Sequence, residues 1–542
     1  MSTLPVFEQL ARDTHAVYNS GDPEALARLN RRYGRNATAA DVRTLVFSNV
    51  YKVRQGGGAK PFTLEDAQAF IARRAGYGNW DALTAALLAG TAFTTPAWAF
   101  DPKENAISPR HEPTARDWDE LLALLRDRQI PAFEANGCIT DQALCRLADL
   151  PHITRLRLGG SRQLTDEGLQ TLARFPQLED LEISGNFTDR ALEVLRHLPS
   201  LRRFQMTWQK GITDAGVSNL RHCPNLEVVM LMGTPTGDGL LEALQDKPRL
   251  HYLETGAYVT NAGLAHLAHY PSLTRLLLDG PITTLTPLEA LPTLENLDLF
   301  WHVRELSTET FDVLPSLPNL TALGCDGKLS DDTAMRHIGQ IPNLKNLRAQ
   351  ATTATEPGFL ALSQSRTLEK LWTGRDPNNL TDRAFRALAQ IPTLTNLGVS
   401  LANLSDAVLA ELPNFPALTE ITPIDLSDDG FRHLGHCPRL TRLCCMYCRE
   451  TTDLATEHIA HLNLNSYYAG LTQITDHSLV LLSKMACLEA LELFETRHIS
   501  DEGLKHLVAL PNLKELNLYG LPEVTLEGTQ IFPPTVNVRY KP

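Results

Sequence analysis

Three cysteines stand within five positions in Leu440–Glu450, "LTRLCCMYCRE". Cys437 lies just upstream, with His433 and His436 close by. Cys445-x-x-Cys448 has the spacing of one half of a zinc site, but a tetrahedral site wants a second pair on a compatible geometry. Cys444 and Cys445 are consecutive. On a strand they would point to opposite faces and could not serve one ion. The expectation is therefore buried free thiols, with no metal and no cofactor.

Two other stretches invite a chemical reading. "RQGGGAKP" (Arg54–Pro61) is rich in glycine, but a phosphate loop needs Lys and a hydroxyl directly after the last glycine. Here Ala59 intervenes and Pro61 follows, so a turn is expected. Glu254, Asp298 and His302 are the material for a carboxylate–histidine group. The sequence has no nucleophile elbow, HExxH or paired-ligand motif around them. No catalytic residue and no enzyme activity are expected.

These residues sit in a chain of 542 residues, which calls for several domains or an extended array. It is 43% hydrophobic and 21% charged, an ordinary globular composition. The net charge of −13 argues against nucleic acid as the main partner. No run of eighteen apolar residues occurs, so no membrane span is expected. "MSTLPVFEQLARDTH" lacks the layout of a secretion signal. The nine cysteines are too sparse for a disulfide framework. A cytoplasmic protein is expected.

Self-similarity organises most of the chain. "LTDEGLQTLARFPQLEDLEISGN" (from Leu164), "ITDAGVSNLRHCPNLEVVMLMGT" (from Ile212) and "ISDEGLKHLVALPNLKELNLYGL" (from Ile499) share one frame. It reads I/L-T/S-D-x-G-L-x-x-L-x-x-L-P-x-L-x-x-L-x-L. Pro151, Pro176, Pro199, Pro224, Pro248 and Pro271 recur every 23–25 residues, and the series runs on to Pro511. About sixteen units follow Cys138. In each, Thr or Ser with Asp offers oxygens to a helix start, apolar residues follow at helical spacing, and proline ends the helix. L-x-x-L-x-L then alternates as a short strand. One unit cannot bury its apolar side alone, but stacked units can.

This frame resembles the leucine-rich repeat, and its "ITD-x-GL" part is similar to the cysteine-containing, ribonuclease-inhibitor-like repeats of F-box proteins and of bacterial repeat proteins. The resemblance implies an α/β fold: a right-handed solenoid, or horseshoe, of about sixteen repeats, with parallel inner strands and outer helices. At about 4.8 Å per strand the inner face would run on the order of 75 Å. In this frame Leu440, Leu443 and Cys445 point inward, as do Cys448, Cys437, Cys223 and Cys325, where cysteine acts as a small hydrophobe. Cys444 alone of the cluster points outward. Cys138 and Cys145 open the array without an evident pattern.

Residues 1–90 do not repeat and read as a helical module. Thr63 and Asp66 suit a helix cap, and Leu64, Ala67, Phe70 and Ile71 form a stripe. The module's "DAQ…IAR…GY…W" signature resembles one found ahead of bacterial ankyrin and other repeat arrays. Tyr77 and Trp80 are expected in its own core. "RLNRRYGR" (Arg28–Arg35) is a basic cluster. With 11 basic and 8 acidic residues up to Gly90, against 50 and 63 in all, the module carries +3 and the remainder −16. A solvated helix face explains the cluster, and an acidic partner is the alternative. Residues 91–115 read as a linker, 116–138 as an N-terminal cap of helix plus short strand, 139–521 as the repeats and 522–542 as a C-terminal cap.

The frame also names the outward strand positions. Tyr252, Glu254, Asp279, Asp298, Phe300, Trp301 and Asp326 make an acidic and aromatic set. Arg348, Lys370, Trp372 and Arg375 make a basic and aromatic one. Aromatic side chains beside charges are the usual anchors of interfaces. The expected function is a non-enzymatic scaffold binding a partner protein on this concave face. The alternatives are an inhibitor or immunity-type protein covering a basic enzyme, and an F-box-like adaptor recruiting substrates for ubiquitination.

Overall fold

The computed structural model describes residues 4–33, 37–50, 62–75, 77–89, 97–161, 163–299, 303, 305–374, 379–446 and 448–541. The chain divides into two units, Met1–Ser272 and Leu273–Pro542, and the division falls inside the repeats.

The first unit begins with helices Leu4–Ser20, Pro23–Tyr33, Ala39–Val50, Leu64–Arg74 and Trp80–Leu88. They enclose a cluster of their own that includes Phe7, Leu10, Val17, Leu29, Phe62, Phe70 and Leu83, with Tyr77 and Trp80 packed partly against it. Thr63 and Asp66 form a full reciprocal capping box. Leu64 departs from the expected stripe and is exposed, because the first helical position precedes the turn that faces the core.

The segment expected as a linker contains regular structure. Trp98–Asp101 and Ala106–Pro109 pair as an antiparallel hairpin, and the second of these strands pairs parallel with Ala132–Glu134. Ile107 and Ala106 are buried, so two apolar residues suffice to bring this stretch onto the repeat sheet. Helix Ala115–Asp127, capped by Thr114 and Asp117, covers the start of the array. Parallel pairing then continues strand by strand from Ala132–Glu134 to Tyr252–Glu254.

In the second unit parallel pairing runs from Arg275–Leu278 to Asn537–Lys541. The last of these strands lies in the segment whose sequence leaves the frame. Its backbone still pairs with Glu515–Tyr519, since ladder bonds do not depend on side chains. On the other side of each repeat the chain returns through short helices. Several tighten into 3₁₀ geometry, as at Asp189–His197. A 3₁₀ turn rises about 2.0 Å per residue against 1.5 Å in an α-helix, so it spans the return with fewer residues.

The T-D-x-G-L signature has a structural meaning beyond helix capping. Asp141 accepts the backbone N–H of Thr165 at 2.9 Å and its hydroxyl at 2.7 Å. Thr165 belongs to the next repeat. The same two bonds join Asp189 to Thr213, Asp238 to Thr260, Asp332 to Thr355, Asp428 to Thr452, Asp476 to Ser500 and Asp501 to Thr525. The glycine makes room for this carboxylate. A Cβ on Gly168 would lie 1.8 Å from Asp141 Oδ1, and one on Gly528 1.9 Å from Asp501 Oδ1. In these repeats the Asp caps across the repeat boundary, and Gly168, Gly216, Gly263, Gly358, Gly503 and Gly528 receive it.

Exceptions keep the bond by other means. Ser478 stands at the glycine position, and its hydroxyl donates to Asp453 at 2.5 Å. Glu356 replaces Asp and accepts the Thr381 hydroxyl at 2.5 Å. Asp406 bonds His433 Nε2 at 2.6 Å instead of a threonine. His433 is therefore a buried rung of this ladder.

Candidate functional site

In the second unit, strand register aligns Asp298, Gly324, Arg348, Trp372 and Gly398 in one row across five neighbouring strands. Alternation sends their leucine neighbours Leu297, Leu323, Leu347, Leu371 and Leu397 into the core. The row itself faces away from it. Arg348 Nη2 donates to Asp298 Oδ1 at 3.0 Å, and its Nη1 donates to both oxygens of Asp326 at 2.8 and 2.9 Å. Burial works against the Arg348 charge, but the bonds to Asp298 and Asp326 outweigh it and hold the pKa above its ordinary value.

Two glycines shape the row. A Cβ on Gly324 would lie 2.0 Å from Asp298 Oδ1 and 2.4 Å from Arg348 Nη2, so the ion pair passes over the space it leaves. A Cβ on Gly398 would lie 2.1 Å from Trp372 Cε3, so the indole lies over that glycine. Arg348 and Trp372 are each held in place by a neighbour's missing side chain. Lys370, on the same strand as Trp372, is exposed.

The structure therefore joins what the sequence separates. Asp298 and Asp326 were expected in an acidic set and Arg348 in a basic one, yet the three form one ion-paired cluster. The acidic-then-basic layout is replaced by an ion-paired centre, two carboxylates around one guanidinium, beside an indole. Asp279, expected to face outward, is buried. Its strand ends at Leu278, and the chain turns at Gly280, φ +125°, where Asp279 accepts the Gly280 N–H at 3.1 Å. Glu254, in the first unit, is also buried and accepts the Tyr252 hydroxyl. Phe300, Trp301, His302, Arg375 and the Arg54–Pro61 glycine stretch lie outside the described residues. Glu254 and Asp298 belong to different units.

The cysteines follow the repeat register. Cys445, Cys448, Cys437, Cys223 and Cys325 are buried and Cys444 is partly exposed. Cys448 Sγ donates to the Pro423 carbonyl at 2.9 Å and Cys437 Sγ to the His433 carbonyl at 3.6 Å. Among the described residues no three His, Cys, Asp or Glu side chains gather as a metal site.

Trp208 was not singled out from the sequence. It is 49% exposed and adopts φ +59°, a left-handed conformation that costs a bulky residue about 1–2 kcal/mol. Its N–H donates to the Met232 carbonyl at 2.9 Å. The indole stands over Gly233, whose Cβ would come within 2.3 Å of Cε3. Phe187, Trp208 and Lys210 flank a cleft of about 570 Å³. The available signal was alignment: neighbouring repeats place Gly160 and Gly233, both at positive φ, where the chain leaves the strand, and "MTWQKG" places tryptophan there.

A family model described as "Leucine Rich repeat" matches residues 149–173. The match covers one copy of the repeat, and the same leucine-rich frame continues on either side of it. Among solved structures it is similar to the yeast Rad7–Elc1 complex, at 16% identity over 78% of this chain and 92% of that one, TM-score 0.40. It is also similar to the internalin InlF of Listeria monocytogenes, at 17% identity over 78% and 94%, TM-score 0.28. A leucine-rich repeat protein of Leptospira interrogans matches at 15% identity over 78% and 98%, TM-score 0.35. No curated protein matches the sequence.

Proposed function

We propose that this protein is a non-enzymatic scaffold that binds a partner protein through the outward strand row of its second unit. Stacked repeats offer an extended surface suited to that task. The observation that carries the reading is the pairing of Arg348 and Trp372 with Gly324 and Gly398. Tryptophan and arginine are the side chains most enriched at binding hot spots. Here both are held before any partner arrives, which lowers the ordering cost of association. The binding set is Asp298, Asp326, Arg348, Lys370 and Trp372, with Phe300, Trp301 and Arg375 as further candidates from the sequence.

The ion-paired centre also sorts the alternatives. An inhibitor clamped to a basic enzyme would want unpaired carboxylates on this face, and Arg348 already holds Asp298 and Asp326. Aromatic contact and the Lys370 charge then matter more than bulk acidity. A protein partner fits this better than nucleic acid, given the net charge of −13. No described helix is long and apolar enough to cross a membrane, and the nine free cysteines support a reducing compartment such as the cytoplasm.

The test is capture of binding proteins from source-cell lysate by the intact chain and by an Arg348→Ala, Trp372→Ala double variant with an unchanged circular dichroism spectrum. A partner retained by the intact chain and lost by the variant supports the row as the site. Equal capture by both chains would refute it.

A further inference from the structure

The basic cluster of the N-terminal helices is not absorbed by the strand-face function. The first unit places part of it against the start of the repeats. Arg31 and Arg32 from helix Pro23–Tyr33 line a cavity of about 170 Å³ with Arg146, from helix Asp141–Leu147. A second cavity of about 400 Å³ is lined by Arg73 and Arg74, from helix Leu64–Arg74, and by Arg110. Glu112 and Cys138 border both.

Glu112 is the only carboxylate among the described residues lining the two cavities. Its side chain is 8% exposed, and it pairs with Arg74 Nη2 at 2.8 Å. Its other oxygen accepts Gln163 Nε2 at 3.3 Å. Arg146 is paired outside the cavity with Asp119 at 2.5 Å. Arg110 Nε donates to the Trp98 carbonyl at 2.9 Å, which leaves its charge uncompensated by that bond. Six guanidiniums thus line two adjoining cavities, in a protein whose net charge is −13. Guanidinium is the side-chain group best matched to phosphate, through its planar fork of donors.

A second observation is independent of charge. Gln163 lines the smaller cavity, and its Oε1 is buried with no hydrogen-bond partner among the described residues. Buried acceptors of this kind are rare and call for a donor. A ligand hydroxyl would supply one.

We propose that this junction binds a small phosphorylated molecule. Its phosphate sits among Arg31, Arg32 and Arg146, and a hydroxyl donates to Gln163. The smaller cavity suits the phosphate group. The larger one falls within the usual range of small-molecule pockets, about 300–1,000 Å³. The ligand would bridge the helical module and the first repeats, so binding would raise the thermal stability of the whole chain.

The experiment uses the full chain with ribose 5-phosphate and with inorganic pyrophosphate, followed by thermal shift and by titration calorimetry at matched ionic strength. Both probes should give saturable binding at about 1 mM or below. Arg31 and Arg32 are exposed, so an Arg31→Ala, Arg32→Ala variant should keep the melting temperature of the unliganded protein. Its affinity for both probes should fall about tenfold or more, as expected when charge-assisted phosphate bonds are removed. The proposal is overturned if neither probe shifts the melting temperature beyond potassium chloride of equal ionic strength. It is equally overturned if the double variant binds as the intact chain does.

Discussion

Arg348 reaches Asp298 across an intervening strand. The two residues are separated in register by Gly324, and the bond passes where a side chain would otherwise stand. A Gly324→Ala chain should lose the Arg348–Asp298 bond while keeping the Arg348–Asp326 pair. Both obstructing atoms are ends of flexible side chains, so the fold should survive with a loss of about 1 kcal/mol or less, the scale of a partly exposed ion pair. Chemical denaturation gives the stability. Partner affinity in the same variant, compared with Trp372→Ala, shows whether the held arginine matters for binding.

Gly168 and Asp141 offer a sharper test of the repeat signature. Gly168→Ala should destabilise by about 1–3 kcal/mol, because its Cβ would overlap the Asp141 carboxylate. Asp141→Ala should cost about 1 kcal/mol through loss of the Thr165 bonds. In the double variant the clash has no partner, and alanine is the better helix former. The double variant should therefore be more stable than Gly168→Ala alone. Additive losses in a urea-denaturation cycle would show that Asp141 does not explain the glycine.

Acid sensitivity follows from the same rungs. The Ser405 hydroxyl and N–H hold the Asp382 pKa below its ordinary value, and His433 does the same for Asp406. A carboxylate depressed in the folded state contributes stability above its unfolded pKa, about 3.9. That contribution is lost as pH falls through the lower folded value. From these two groups, stability should be level between about pH 7 and pH 5 and should decline below about pH 4. Melting curves in Asp382→Asn should show a shallower acid decline than the parent.

Thiol reactivity should report the repeat register. Cys145 and Cys487 are exposed and should react at once with a disulfide reagent in the native protein. Burial pushes Cys223 and Cys437 up to about 12, and Cys138, Cys444 and Cys448 up to about 11. Since the thiolate is the reactive form, these should react slowly or only on unfolding. Mass spectrometry of briefly labelled protein would identify the two fast sites. Rapid labelling of Cys445 or Cys448 would contradict their place in the core.

The repeat frame was legible because its signals are local and recur. Leucine spacing and the T-D pair place strands and helix starts one unit at a time. The hairpin at Trp98–Pro109 was not legible, because its strands are short and part of their pairing is with residues far along the chain. The outward row was legible as positions and less so as chemistry. That Asp298, Asp326 and Arg348 form one cluster depends on Gly324, and a glycine says little until its neighbours in the sheet are known. Asp279 misled for a related reason: the frame gives its position, but the turn at Gly280 decides its burial. Trp208 needed a comparison of turn conformations between repeats, which leucine spacing does not supply.

The Thr-Asp-Gly rung has one more consequence. A repeat with the full signature offers a carboxylate to the repeat after it and presents a hydroxyl and a bare backbone to the one before, so both halves of the joint are encoded in one copy. A gene carrying such a unit can lengthen or shorten by whole copies through duplication or deletion, and the new junction is already complementary. A gain or loss of a few residues inside a copy would instead misalign carboxylate and hydroxyl. Growth of this array over evolutionary time is thereby channelled into steps of one repeat.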